Sequence, residues 1–248
     1  MGGTGRSLAD GVLDRLGQQV VAGRFGRGGR VPTEEELVRK LGISRPSVRE
    51  ALKALVRKGL VESRARRGTL VRAKEHWDIL DTDVLRWVAA APLDHAFLIS
   101  LIELRSIMEP AAARLAAQRA SPAQILEIER AFRGMVDSLP HKLEACHRHD
   151  LAFHAGIFAA SGNVMLHRFY TAISTVLLTL FRASTAARED YERSLDEHGE
   201  VAAAIGRRQP DEAEQAMKRL LRGTVRDLEP AFRPRKTSKR KPKGGSTS

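Results

Sequence analysis

Apolar residues recur every three or four positions at Leu8, Val12, Leu16, Val20 and Val21, the spacing of one helix face. The glycine-rich GRFGRGGR then ends the run. A second helix is predicted to open at VPTEEEL, with Thr33 capping the backbone and Glu36, three residues on, completing a capping box. Leu37 and Leu41 form its apolar side and Gly42 its stop. A third follows at once: Ser44 is its N-cap, and Pro46 sits in the first turn, where a missing N–H is harmless. Its apolar stripe runs through Val48, Leu52, Leu55 and Val56 to Gly59. Beyond Gly59, LVES and TLVR alternate as two short strands joined by RARRG. Helix, helix, turn, helix and hairpin within about seventy residues is the succession of a winged helix-turn-helix.

Residues 73 to 93, AKEHWDILDTDVLRWVAAAPL, read as a linker leading into a short helix. Thereafter the pattern is helical at roughly 96–119, 122–138, 142–161, 164–186, 190–207 and 211–229, with breaks at SP, LP, SGN and QP. No fixed-period repeat emerges. The expected fold is therefore mainly α, a winged helix-turn-helix at residues 1–73 followed by an all-helical bundle. The connecting segment is placed at 74–93, the bundle at 94–230 and a basic, disordered tail at 231–248.

Charge sharpens this division. Residues 1–73 hold 16 Lys/Arg against 7 Asp/Glu, and residues 233–248 hold 7 against none, whereas residues 75–232 carry an acidic surplus. A polyanion such as double-stranded DNA is the natural partner of the basic N-terminal module. The acidic middle needs another role. A single cysteine, Cys146, excludes an internal disulfide framework and fits a reducing cytoplasm. No run of about 18 apolar residues is present to span a membrane. The opening MGGTGRSL lacks a secretory apolar core, and Arg6 stands where a myristoylation signal wants Ser or Thr.

In the third helix, Arg45, Arg49 and Lys53 follow one another at i+4 steps, on the side opposite the apolar stripe. That side suits the major groove, where Arg45 and Arg49 reach guanine O6 and N7 and Ser44 and Ser47 bond phosphates or base edges. The hairpin tip from Arg64 to Gly68, with Arg66 at its centre, is placed for backbone or minor-groove contact, and Gly68 permits the turn. In the helical half, Asp150 and His154 of HRHDLAFHAGIFAASGN sit one above the other on one helix face, an arrangement open to a metal ligand pair, an acid/base pair or a sensor.

The stretch VPTEEELVRKLGISRPSVREALKALVRKGLVESRARRGTLV resembles the N-terminal winged-helix domain of GntR-family transcription regulators. That resemblance makes Arg45 and Arg49 the principal base readers and Ser44, Ser47 and Gly68 supporting contacts. Glu35 departs from the family, which commonly has an Arg there, so Arg39 or Arg30 is the expected substitute contact. LIELRSIMEPAAARLAA, DLAFHAGIFAASGN and EHGEVAAAI resemble the FCD sensor domain of the FadR subfamily. Within it, EHWDILDTDVLRWV and ELRSIMEPAAARLAAQRAS are most similar to galactonate-responsive repressors.

The resemblance implies a divalent metal on one Asp and three His. Asp150, His154 and His198 match three positions, while the fourth falls at Leu220. His147 is no substitute, because seven residues of helix separate it from His154 by about 10.5 Å of rise, too far for both to reach one ion at bonds near 2 Å. Two arrangements fit: three ligands hold Zn²⁺ or a similar ion whose open positions take a sugar acid's carboxylate and hydroxyl, or the three side chains bond the effector without a metal. For an anionic effector, Arg105 interrupts an apolar helix face, and its fork suits a carboxylate; the alternative is a surface salt bridge with Glu103 or Glu109. Arg182 is a second cation candidate, and Asn163 reads as a helix cap.

No P-loop, dinucleotide fingerprint, nucleophile elbow or positioned general base accompanies these residues, so catalysis is not expected. The expected function is a homodimeric regulator that reads a pseudo-palindromic operator and releases it on binding a small carboxylate of the sugar-acid class. Lactate or a dicarboxylate are alternative effectors, and a metal-dependent enzyme with a DNA-binding module is the alternative class.

Overall fold

In the computed structural model, which describes residues 8–91, 95–139, 141–183 and 188–232, the chain begins with α1 (Leu8–Val21), whose Val12, Leu16 and Val20 are buried. Helix α2 (Glu34–Leu41) opens on the expected capping box, with Thr33 accepting from the Glu36 amide and the Glu36 carboxylate accepting from the Thr33 amide at 2.6 Å. It ends at Gly42, left-handed at φ 65°, where a side chain would be strained. Helix α3 (Arg45–Arg57) starts from Ser44, whose Oγ accepts from the Ser47 amide, and carries Pro46 in its first turn. Strands β1 (Val61–Arg64) and β2 (Gly68–Val71) pair antiparallel with Val61 opposite Val71. A bridge from Arg30 to Leu70 adds a third edge to this wing.

The apolar stripe of α3 differs from expectation. Val48, Ala51, Ala54 and Leu55 are the buried residues, whereas Leu52 is half-buried and Val56 is 43% exposed. Ala51 counts as core although it is small, because α3 packs closely against α1; this turns Leu52 and Val56 toward the cleft beside the wing.

After a single 3-10 turn at Lys74–His76, α4 (Thr82–Ala90) is capped by Asp81, which accepts from the amides of Asp83 and Val84. The sequence placed this segment as a connection; the structure gives it two cores. Val84 and Trp87 complete the core of the winged domain, and Leu85 and Ala89 belong to that of the bundle. Gly17 of α1 makes the first packing possible, since a Cβ there would lie 2.5 Å from the Trp87 ring. Charges close the joint: Asp14 accepts from Trp87 Nε1 at 3.0 Å and from Arg86, and Lys58 donates to Asp81 at 2.7 Å and lies 2.8 Å from Asp83.

The bundle comprises α5 (His95–Arg119), α6 (Pro122–Ser138), α7 (Leu143–Ala160), α8 (Val164–Ala183), α9 (Arg188–Gly206) and α10 (Pro210–Phe232). Four of their five junctions lie at the breaks read from sequence, SP, LP, SGN and QP; the fifth, between α8 and α9, falls at residues 184–187, outside the described ones. Ser121 and Gln124 form a capping box on α6, and Asn163 caps α8 by accepting from the amides of Met165 and Leu166. No helix among the described residues is long and apolar enough to cross a membrane. Of the basic tail expected at 231–248, Ala231 and Phe232 end α10, and residues 233–248 lie outside the described residues.

Candidate functional sites

Arg45, Arg49 and Lys53 are exposed along one side of α3, as their spacing predicts, with the wing beside them. Each is held by an acid. Arg49 donates through Nε and Nη2 to both oxygens of Glu34, at 3.2 and 3.1 Å, and this fork lowers the Glu34 pKa. Arg45 donates to Glu35 at 3.3 Å and Lys53 to Glu50 at 3.3 Å. Such exposed pairs are each worth about 0–1 kcal/mol, so they would cost little to exchange for another anion or acceptor. Ser44 and Ser47 join their hydroxyls at 2.9 Å at the start of α3. Arg66 occupies the left-handed region at φ 64° and Gly68 at φ 80°; a non-glycine residue there implies local strain, and it turns the arginine-rich tip outward. Of the expected substitutes for an Arg at position 35, Arg30 is held by Glu36 at 3.0 Å, and Arg39 is exposed on α2.

The second cluster lies inside the bundle. Asp150 and His154 are one turn apart on α7, and α9 brings His198 to them; all three are buried and present ligand atoms within 4.8 Å of one another. His198 Nε2 lies 2.9 Å from Asp150 Oδ1, and His154 Nε2 lies 3.7 Å from the same oxygen. The opposite nitrogen of each ring faces an acceptor: His198 Nδ1 lies 2.6 Å from the Ser194 carbonyl, and His154 Nδ1 lies 2.8 Å from Glu109 Oε2. A proton on Nδ1 in both rings leaves both Nε2 lone pairs directed at Asp150. Asp150 Oδ2 is buried without a hydrogen-bond partner, and the 2.9 Å approach of His198 Nε2 to Asp150 Oδ1 is not aligned as a hydrogen bond; such groups call for a ligand or an ion. Two imidazole nitrogens and a carboxylate oxygen are a donor set suited to Zn²⁺ or a similar divalent ion.

Leu220, at the position of the missing ligand, is buried in the apolar core. His147 is also buried but is not among the converging ligand residues.

Arg105 is buried on α5, so the surface salt bridge considered for it is not what forms. Its Nε donates to Glu109 Oε1 at 2.5 Å in a pair that is 5% and 1% exposed. A chain of contacts thus runs Arg105, Glu109, His154, Asp150, His198. Burial pushes the Glu109 carboxyl up, yet Arg105 and His154 outweigh it and hold the pKa at about 2. Asp150 is likewise raised by burial and lowered further by both histidines, to well below the carboxylate range. Burial lowers His154, but Glu109 and Asp150 carry it to about 9; a metal on Nε2 would reverse that balance.

Sequence reasoning assigned no site role to Glu109, Ser194 or Tyr170. The signals were present: Glu109 and Ser194 each stand four residues from a named side chain, on the same helix face. Tyr170 of α8 is 1% exposed, and its pKa is raised well above the ordinary value, first by burial and then by the Glu109 charge. Arg182 lies on α8, with its side chain outside the described ones.

A winged helix with a cationic recognition face, joined through a shared helix to a bundle that encloses polar and charged groups, defines a DNA-binding regulator with a sensor domain. The chain belongs to the gntR family of bacterial regulatory proteins, whose model matches residues 8–71, and residues 100–223 match the FCD domain. It is 32% identical over 220 residues, 88% of this chain and 96% of the other, to the galactonate operon transcriptional repressor of Escherichia coli K12. To the HTH-type transcriptional repressor NanR of Edwardsiella tarda it is 33% identical over 217 residues, 86% of this chain and 82% of the other. A solved structure, Lar, described as controlling the agr system of Listeria monocytogenes, shares the fold with a TM-score of 0.63 and 17% identity, over 91% of this chain and 99% of the other. These relatives are transcription regulators, which points away from an enzyme.

Proposed function

We propose that this protein is a homodimeric, cytoplasmic repressor that leaves its pseudo-palindromic operator when a small carboxylate of the sugar-acid class enters the bundle. The observation that carries the reading is the buried convergence of Asp150, His154 and His198 beside Arg105, all within the FCD-matching segment. The similarity to the galactonate operon repressor supports D-galactonate as the first ligand to try. In this reading residues 1–73 bind DNA through Ser44, Arg45, Ser47, Arg49, Lys53, Arg66 and Gly68, and residues 94–230 sense the effector and dimerise. Asp150, His154 and His198 hold a divalent ion, which when bound supplies open positions for hydroxyl and carboxylate oxygens. Glu109 and Ser194 orient the two imidazoles, and Arg105 supplies the cation an acid requires.

The signal has a short route. Tyr170 lies on α8, α8 packs against α4, and α4 is part of the winged core. A displacement of α8 therefore moves the reading head directly, and a coupling of about 1 to 3 kcal/mol is enough to change operator occupancy. The test is fluorescence anisotropy of the protein on DNA from upstream of its own gene, titrated with D-galactonate. Release is expected, and Arg105→Ala should bind the DNA yet no longer release it. Indifference to galactonate with release by lactate or a dicarboxylate would overturn the effector class, and absence of specific DNA binding would overturn the regulator.

A further inference from the structure

The three consecutive glutamates of α2 are not equivalent. Glu36 completes the cap and holds Arg30. Glu34 is half-buried under the fork of Arg49. Glu35 is 74% exposed, and its side chain has one hydrogen bond among the described residues, the 3.3 Å contact from Arg45 Nη2. Because Arg45 is the first residue of α3, this contact places the Glu35 carboxylate beside the N-terminal end of the recognition helix, the end that meets base edges in a helix-turn-helix complex. A carboxylate there is repelled by every phosphate in reach, whatever the sequence. When Arg45 turns to a guanine, Glu35 also loses its partner.

We propose that Glu35 is a specificity-determining residue that selects a cytosine next to the guanine taken by Arg45; the inference rests on α3 being the DNA reader. Guanine and thymine offer a carboxylate only acceptors, or a methyl group, at the major-groove edge. Adenine places the N7 acceptor beside its amino group. Cytosine alone presents an amino donor with no acceptor of its own beside it, and carboxylates pair with that N4 group. The cation and the acid thus read adjacent bases of opposite hydrogen-bonding sense, and Glu35 disfavours sequences that leave its oxygens facing acceptors.

The full-length protein, Glu35→Ala and Glu35→Gln are each used to enrich a pool of randomised duplexes, and the winners are compared by anisotropy. The exposure of Glu35 leaves the fold little to lose, which equal melting temperatures would verify. The wild type should enrich one cytosine per half-site beside a guanine and prefer it at least tenfold over thymine, about 1.4 kcal/mol. Glu35→Ala should keep the guanine and lose the cytosine column. Glu35→Gln should move that column toward adenine, the usual partner of a glutamine amide. Identical consensus sequences for all three proteins, or a uniform rise in affinity with the ranking of bases unchanged, would overturn the proposal. A wild type that enriches no consensus would overturn the DNA reading itself.

Discussion

Replacing Glu109 by Gln keeps the shape of the side chain but removes the carboxylate that pairs with the buried Arg105 guanidinium. Two routes give the expected cost. Lowering a carboxyl from 4.5 to about 2 corresponds, at about 1.4 kcal/mol per pH unit, to about 3 kcal/mol of preference for the ionised form. Breaking a buried pair by removing one partner costs about 3–5 kcal/mol, because the remaining charge is uncompensated. For a chain of this size each kcal/mol moves the midpoint by about 2–4 °C, so Glu109→Gln should melt about 6 to 20 °C lower in differential scanning calorimetry. The sign with pH follows. Because the folded pKa is depressed, the stabilisation is complete above about pH 4.5 and disappears as pH falls through about 2. The variant should therefore show a flatter loss of stability in acid. The double change Arg105→Met with Glu109→Leu removes both charges and should recover most of the loss. A fall of less than about 2 °C for Glu109→Gln, roughly 1 kcal/mol or under, would mean that water reaches the pair and that this cluster is not the desolvated site described. A double variant as unstable as the two single losses added together would refute the pairing.

Two further outcomes are expected. Chelator-treated protein given Zn²⁺ at about a hundred times its Kd should gain about 2.7 kcal/mol, and the gain should shrink as pH falls because the imidazoles must be deprotonated to ligate; equal gains in wild type and His198→Gln would place the ion elsewhere. Gly17→Val should push on the Trp87 ring, cost about 1–3 kcal/mol by overpacking and red-shift Trp87 emission in a Trp77→Phe background, whereas unchanged melting and emission would contradict the close packing of α1 on α4.

Most of the architecture was legible because local rules agreed with one another. Thr33, Gly42, Ser44 and Ser121 each mark a helix end by their own chemistry, and the apolar spacing between those marks leaves little choice of element. The core face of α3 was misplaced by part of a turn, since Ala51 weighs little in any reading of hydrophobicity yet is what a close helix approach requires. Within the sensor, Asp150 and His154 were readable from one helix. His198 needed the family resemblance, because forty-four residues of sequence separate it from His154 and nothing local links them. Glu109 entered only in the alternative for Arg105, a surface pair with Glu103 or Glu109, because an Arg and a Glu four apart on a helix most often form a solvated pair; the burial that changes its role is tertiary information. The double membership of α4 was hidden for the same reason, as DVLRWVAA shows two apolar faces without saying that each meets a different domain.

That double membership bears on how this chain could be cut or recombined in the laboratory. A cut after residue 73 strips Val84 and Trp87 from the winged core, and a cut after residue 91 strips Leu85 and Ala89 from the bundle. Neither half has a clean edge. A chimaera that grafts this reading head onto a foreign sensor must carry α4 with it, and must also match the surface that α8 offers to α4. The unit to transfer is therefore the winged domain together with its connecting helix, and its fit to a sensor depends on one face of a nine-residue helix, the face that carries Leu85 and Ala89.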